Sequence, residues 1–177
     1  MIQFVNVSKS FGSQVVLDRM NLTIQEGVVT AIMGPSGAGK SVTLKLLMGL
    51  LKPDEGQILI DGTDISQLDE EGLRLLRKKF GMLFQDAALF DYMNVFENVS
   101  FPLYEHTTLP DDEIARRVEE ALTEVGLSNV NEKLPNELSG GMRKRVGLAR
   151  AIILEPPIVL FDEPTTGLDP IITYQIG

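Results

Sequence analysis

The residues Gly34-Pro35-Ser36-Gly37-Ala38-Gly39-Lys40-Ser41 concentrate groups that could hold phosphate. They fit the pattern G-x-x-x-x-G-K-[ST] at every fixed position. Glycines let successive backbone N–H groups turn inward around anionic oxygens. A helix starting at the end of such a loop adds the positive end of its dipole. In this reading Lys40 reaches the β- and γ-phosphates of a nucleotide, and the Ser41 hydroxyl ligates Mg²⁺.

Two further clusters could take part in the same chemistry. Ile158-Val159-Leu160-Phe161 is an apolar run ending in Asp162-Glu163. Ligands of parallel sheets sit at the carboxyl ends of such strands. There Asp162 would support Mg²⁺, and Glu163 could accept a proton from an attacking water. Alone, the run is also compatible with an ordinary strand leading into a solvated acidic turn. The third cluster is Leu138-Ser139-Gly140-Gly141-Met142, followed by Arg143, Lys144 and Arg145. A serine N-cap and two glycines expose the first N–H groups of a helix, making a second anion site or simply a capped helix start.

These groups need elements to position them. Ile2 to Val7, Val15 to Leu17 and Leu22 to Ile24 read as short strands separated by turns. The continuous apolar run Val28 to Met33 reads as a strand buried on both faces, leading into the Gly34 loop. A helix follows, with Leu44, Leu47, Met48 and Leu51 on one stripe, stopped by Pro53 and Gly56. Gln57 to Ile60 is a strand ending in an Asp61-Gly62 turn, Leu68 to Lys79 a helix, and Phe80 to Phe84 another strand. Gln85 to Pro110 reads as irregular and aromatic, interrupted by Pro102 and Pro110. Asp111 to Val125 is an amphipathic helix closed by Gly126. Its acidic start, Asp111-Asp112-Glu113, suits the dipole. Gly140 to Leu154 is the last helix, ended by Pro156-Pro157. Strand, glycine loop, helix and a later apolar strand argue for a parallel sheet flanked by helices.

Composition narrows the function. The chain has 177 residues, 44% of them apolar and 23% charged, enough for a real core and too few charges for a disordered chain. Lys and Arg total 16 against 25 Asp and Glu, a net charge of −9, which argues against general nucleic-acid binding. There is no cysteine and one histidine, His106, so thiolate sites, histidine metal clusters and Ser-His catalysis are excluded. His106 lies in a turn-like stretch away from every phosphate-binding residue. No apolar run approaches membrane-spanning length, and the N-terminus does not read as a signal peptide. A reduced, cytosolic compartment fits these features.

With Ser139-Gly140-Gly141 lying between the Lys40 loop and the Asp162-Glu163 strand, the sequence resembles the ABC (ATP-binding cassette) ATPase family. The resemblance covers nearly the whole chain and five separated motifs in order. It implies an α/β P-loop NTPase fold with a RecA-like parallel-sheet core, an N-terminal antiparallel β subdomain and an inserted α-helical subdomain. It implies residues 1–85 as the first part of the ATP-binding core with Walker A, 86–152 as the helical signature subdomain, and 153–177 as the Walker B and D-loop part. Phe11 matches the aromatic that stacks on adenine, and Asp169 matches the D-loop. Gln85 matches the Q-loop glutamine, which senses the γ-phosphate, joins Glu163 in catalysis and contacts Mg²⁺. The implied nucleotide contacts extend over Gly34, Pro35, Ser36, Gly37, Ala38, Gly39, Lys40, Ser41 and Thr43, with Ser139, Gly140 and Gly141 acting in trans. Ser41, Gln85 and Asp162 form the metal set. ATP and Mg²⁺ are the implied ligands, and two cassettes are implied to pair head to tail as a homodimer.

A narrower resemblance rests on Met142, where most cassettes carry Gln, and on Phe84 to Asp91, Met93 to Val99 and Pro102 to Thr107. These look like the ATPase subunit of Mla/Mce-type bacterial lipid transporters. The implied function is ATP hydrolysis coupled to phospholipid transport across the bacterial envelope. The implied location is cytoplasmic, peripheral on the inner face of the inner membrane through a permease subunit. Phe90, Tyr92, Phe96 and Phe101 would suit permease docking or simply cover the helical core. The alternatives are a transporter ATPase for another substrate, or a fragment that binds ATP without turnover. A chromosome-structuring ATPase would need a long heptad coiled coil, which is absent. A tandem translation-associated protein would need a second cassette. By the family pattern the chain should continue after Asp169-Pro170 through a helix, a core strand and a switch histidine. The sequence therefore reads as a C-terminally truncated cassette, with an unpaired sheet edge.

Overall fold

A computed structural model describes residues 1–162. Its contacts divide into two units, Met1–Lys78 and the part from Lys79 onward, and each has its own core.

The first unit is built on a four-stranded antiparallel sheet. Strand β1 (Ile2–Phe11) turns through Gly12 into β2 (Gln14–Ile24), so the two short runs expected after Gly12 are one long strand. Strands β3 (Glu55–Ile60) and β4 (Thr63–Asp64) complete the order β2-β1-β3-β4. The β3–β4 connection is Asp61-Gly62, with φ of 50° and 82°. Positive φ at both central residues matches the two-residue hairpin turn whose twist suits antiparallel strands. Alternation sets the register: Ile2 faces Ile60 and Phe4 faces Ile58, and all four are buried.

Two helices belong to this unit. Helix α1 (Lys40–Leu47) starts at the glycine loop and buries Thr43, Leu46 and Leu47. It is shorter than expected, and Leu44 is only half-buried. Helix α2 (Glu70–Arg77) is capped by Asp69, whose carboxylate accepts from the Gly72 N–H at 2.8 Å. Arg77 donates to the carbonyls of Met48 and Gly49 at 3.3 and 3.1 Å, satisfying orphan acceptors at the end of α1.

The expected buried strand Val28–Met33 does not form. The segment has no strand pairing and its residues are exposed, Val29 and Met33 by 91% and 90%. An apolar run becomes a strand only where neighbouring strands take its N–H and C=O groups. Among the described residues no strand pairs with this one.

The second unit holds β5 (Phe80–Leu83) and β6 (Ile158–Phe161), paired in parallel with Leu83 opposite Phe161. Helices α3 (Val95–His106), α4 (Asp111–Glu124) and α5 (Gly140–Ile152) pack around Val99, Leu103, Ile114, Val118, Leu122, Val146 and Ala149. Helix α3 corrects the expectation of an irregular middle. Asn94 accepts from the Glu97 N–H at 2.8 Å while Glu97 accepts from the Asn94 N–H at 2.7 Å, a capping box that outweighs Pro102 inside the helix. Helix α4 ends as expected at Gly126, whose φ of 69° lets its N–H and that of Leu127 return to Thr123 and Leu122.

Candidate functional site

In the first unit the loop 34–41 is shaped by glycines at two left-handed positions, Gly37 with φ 83° and Gly39 with φ 86°. Gly39 is also pinned from outside. A Cβ there would lie 2.9 Å from Leu17 Cδ2 and 3.0 Å from Val16 Cγ1, so β2 presses directly on the loop. No side chain caps the start of α1. Lys40 folds back over the loop, its Nζ donating to Gly34 O at 2.9 Å and Pro35 O at 3.0 Å. The ammonium is therefore held at the loop's own carbonyls, near the uncapped first amides of α1, both groups suited to an anion. Thr43 differs from its neighbours. It is buried, and its hydroxyl donates to Gly39 O at 3.0 Å, stiffening the loop–helix joint.

Phe11 closes β1 and is half-exposed. Lys9 sits 5.7 Å from its centroid and donates to Asp54 Oδ1 at 2.6 Å. The Lys9 hydrogen bond, seconded by the Ser10 N–H, holds the Asp54 carboxyl below the usual carboxylate range. Asp54 thus ties down the strand end that presents Phe11.

In the second unit the parallel pair brings Gln85 and Asp162 to one edge. Gln85 lies two residues beyond the end of β5, and Asp162 immediately follows β6. The Asp162 N–H donates to Leu83 O at 3.0 Å, continuing the ladder. Ser139 caps α5, its Oγ accepting from Met142 N–H at 3.2 Å, and the exposed Gly140 and half-buried Gly141 begin the first turn. Arg143 donates to Leu138 O at 2.7 Å and so braces the approach to the cap. Met142 packs against the helical core instead of pointing away from it. Glu163 and Asp169 lie outside the described residues. His106 is exposed at the end of α3. Of the aromatics singled out, Phe96 packs on the core, Phe90 and Phe101 form an edge-on pair at 5.1 Å, and Tyr92 is 76% exposed.

Two residues of this unit escape sequence reasoning. Asn98, fully buried, accepts from Phe90 N–H and donates to the carbonyls of Phe90, Met93 and Asn94. Arg150 donates to Ala87 O and Ala88 O, both at 2.8 Å. Neither lies in a phosphate-binding motif, and their one signal is a polar side chain on an otherwise apolar helix face.

Among the described residues no three or more His, Asp or Glu converge as a metal cage.

A family model described as ABC transporter matches residues 17–166. The probable ribonucleotide transport ATP-binding protein mkl of Mycobacterium tuberculosis is 52% identical over 99% of this chain and 49% of its own length. The intermembrane phospholipid transport system ATP-binding protein MlaF of Escherichia coli is 47% identical over 97% of this chain and 64% of its own length. The chain thus spans about half to two-thirds of the curated relatives it matches. Among solved structures, the dimeric bacterial ABC transporter cassette MJ0796 superposes with a TM-score of 0.93 at 38% identity, over 99% of this chain and 79% of that one. The same cassette in a post-hydrolysis state with ADP and Pi gives 0.92. The chain therefore has the α/β P-loop NTPase fold of these cassettes.

Proposed function

Since the chain belongs to the ABC transporter family, we propose that it binds ATP and is the hydrolysing subunit of a transporter that moves phospholipid across a bacterial envelope. The observation that carries ATP binding is the Gly34–Ser41 loop, with its left-handed glycines and the Lys40 ammonium folded back onto it. The residues of the first unit suit a nucleotide: backbone amides and Lys40 for phosphate, Phe11 for the base, and the Ser41 hydroxyl for Mg²⁺, to which the family pattern adds Gln85 and Asp162. When bound, Mg²⁺ neutralises phosphate charge and orients the transferring group. Glu163 takes the proton of the attacking water, Gln85 reads the γ-phosphate position, and Asp169 belongs to the same nucleotide set. Ser139, Gly140 and Gly141 meet the nucleotide of a second copy, so two chains close head to tail around ATP and part after hydrolysis.

The functional parts are 1–85, 86–152 and 153–177. The lipid assignment is supported by 47% identity to MlaF, a phospholipid-transport ATP-binding protein by name. No helix among the described residues is long and apolar enough to cross a membrane. In this reading a permease subunit holds the chain at the inner face of the inner membrane.

The test is nucleotide binding and hydrolysis by the chain, by Lys40→Ala and by Glu163→Gln. Lys40→Ala should lose binding. Glu163→Gln should bind as well as the parent and hydrolyse about 10²- to 10⁴-fold more slowly, the usual worth of a general base. Parent and Glu163→Gln turning over at equal rates would refute the catalytic assignment. Co-purification from membranes with the permease of a sugar, metal or ribonucleotide would refute the lipid assignment.

A further inference from the structure

The loop between β5 and α3, residues 84–94, carries Gln85 and runs through two left-handed alanines, Ala87 at φ 61° and Ala88 at φ 47°. Such backbone is strained for a residue with a Cβ and persists only where the surroundings hold it. The surroundings here are specific. Ala87 is buried against α5, and a Cβ on Gly147 would approach the Ala87 Cβ to 2.9 Å. The carbonyls of Ala87 and Ala88 point to one side chain, the guanidinium of Arg150, through a single nitrogen, Nη2. Arg150 Nη1 reaches Asn98 Oδ1 at 3.4 Å, and its Cζ lies 5.6 Å from the Phe90 ring centroid. Asn98 in turn holds Phe90 by both its N–H and its C=O.

We propose that Arg150, acting with Asn98, is a positioning residue that locks the Gln85 loop onto α5, so that Gln85 and the Ser139-Gly140-Gly141 start of α5 move as one body. The proposal rests on the nucleotide-site reading given above for Gln85. Arg150 lies at the opposite end of α5 from Ser139, and its hydrogen bonds among the described residues go to Ala87, Ala88 and Asn98, so its effect on Gln85 passes through the loop. The fork is required. A lysine ammonium can reach the two carbonyls but cannot also bond Asn98 in a plane stacked on Phe90. Burial lowers the basicity of Arg150, in keeping with a group used for directional hydrogen bonds in a sheltered place.

Amide hydrogen exchange, residue by residue, tests this on the chain, on Arg150→Met and on Arg150→Lys, with ATP turnover measured in parallel. In Arg150→Met, amides of residues 85–93 should exchange at least about tenfold faster, as expected for losing hydrogen bonds to a charged group. Amides of β1 and β2 should keep the parent's rates. Arg150→Lys should fall between the two, and it carries the test if Arg150→Met does not fold. Turnover should drop roughly 10- to 100-fold at a KM for ATP within about twofold of the parent, because the Lys40 loop is untouched and only positioning is lost. Loop exchange equal to the parent's, or exchange rising evenly throughout the second unit, would overturn the clamp. A fall confined to KM would overturn its link to Gln85. A parent chain that does not turn over ATP would instead count against the ATPase reading, and the exchange pattern alone then decides the clamp.

Discussion

Gly39 shows how tightly the site is specified by single residues. Its φ of 86° is unfavourable for any side chain, and Leu17 and Val16 already fill the space that a Cβ would need. Gly39→Ala should therefore destabilise the first unit by about 1–3 kcal/mol, read as a lower thermal midpoint, and should weaken nucleotide binding. Gly37 has a similar φ but nothing within reach of a Cβ, so Gly37→Ala should cost less, by strain alone. Gly39 is legible in the sequence, because glycine at that place in a phosphate-loop pattern has one physical reading. Asn98 and Arg150 are not. Arg150 matters through carbonyls distant in the chain, Ala87 and Ala88, and Asn98 through the loop carbonyls of Phe90, Met93 and Asn94 just before it, and an unremarkable Asn or Arg carries no spacing signal for such partners.

Elements are legible where a local rule decides them. The hairpin at Asp61-Gly62, the stop at Gly126 and the cap at Ser139 all follow from backbone preferences of a few residues. Helix α3 stays hidden when Pro102 is weighed as a breaker and the Asn94–Glu97 box is not weighed at all. Asn94→Ala should cost about 1 kcal/mol, seen as a lower unfolding midpoint with loss of helical circular dichroism. Strand β5 crosses α5 so closely that a Cβ on Gly81 would collide with the Ala151 carbonyl oxygen and lie 2.9 Å from Pro156 Cγ. Gly81→Ala should thus destabilise the second unit by about 3 kcal/mol. On α4, hydrogen bonds from Arg116 and then Arg117 pull the Glu113 carboxyl from 4.5 down to about 2. A carboxyl lowered by folding contributes stability above its unfolded value and loses it as pH falls. Denaturation midpoints should therefore decline between pH 4.5 and about 2. Glu113→Gln should flatten that decline, and a slope unchanged by the substitution would remove Glu113 as its cause.

At the scale of the molecule, most strands and the helices α1, α2, α4 and α5 are readable from periodicity, while helix α3 and the fate of Val28–Met33 are not. An apolar run states what a segment avoids and leaves open which strand it meets. The exposure of that run has a colloidal consequence. Copies of a chain with net charge −9 repel one another in dilute salt, where the screening length is about 30 Å at 0.01 M. Near 1 M the screening length falls to about 3 Å and the bare valines and methionine of neighbouring copies can meet. The osmotic second virial coefficient should accordingly pass from positive to negative with added sodium chloride. Replacing Val29 and Met33 by serine should keep it positive to higher salt, and light scattering at matched protein concentrations would measure the difference.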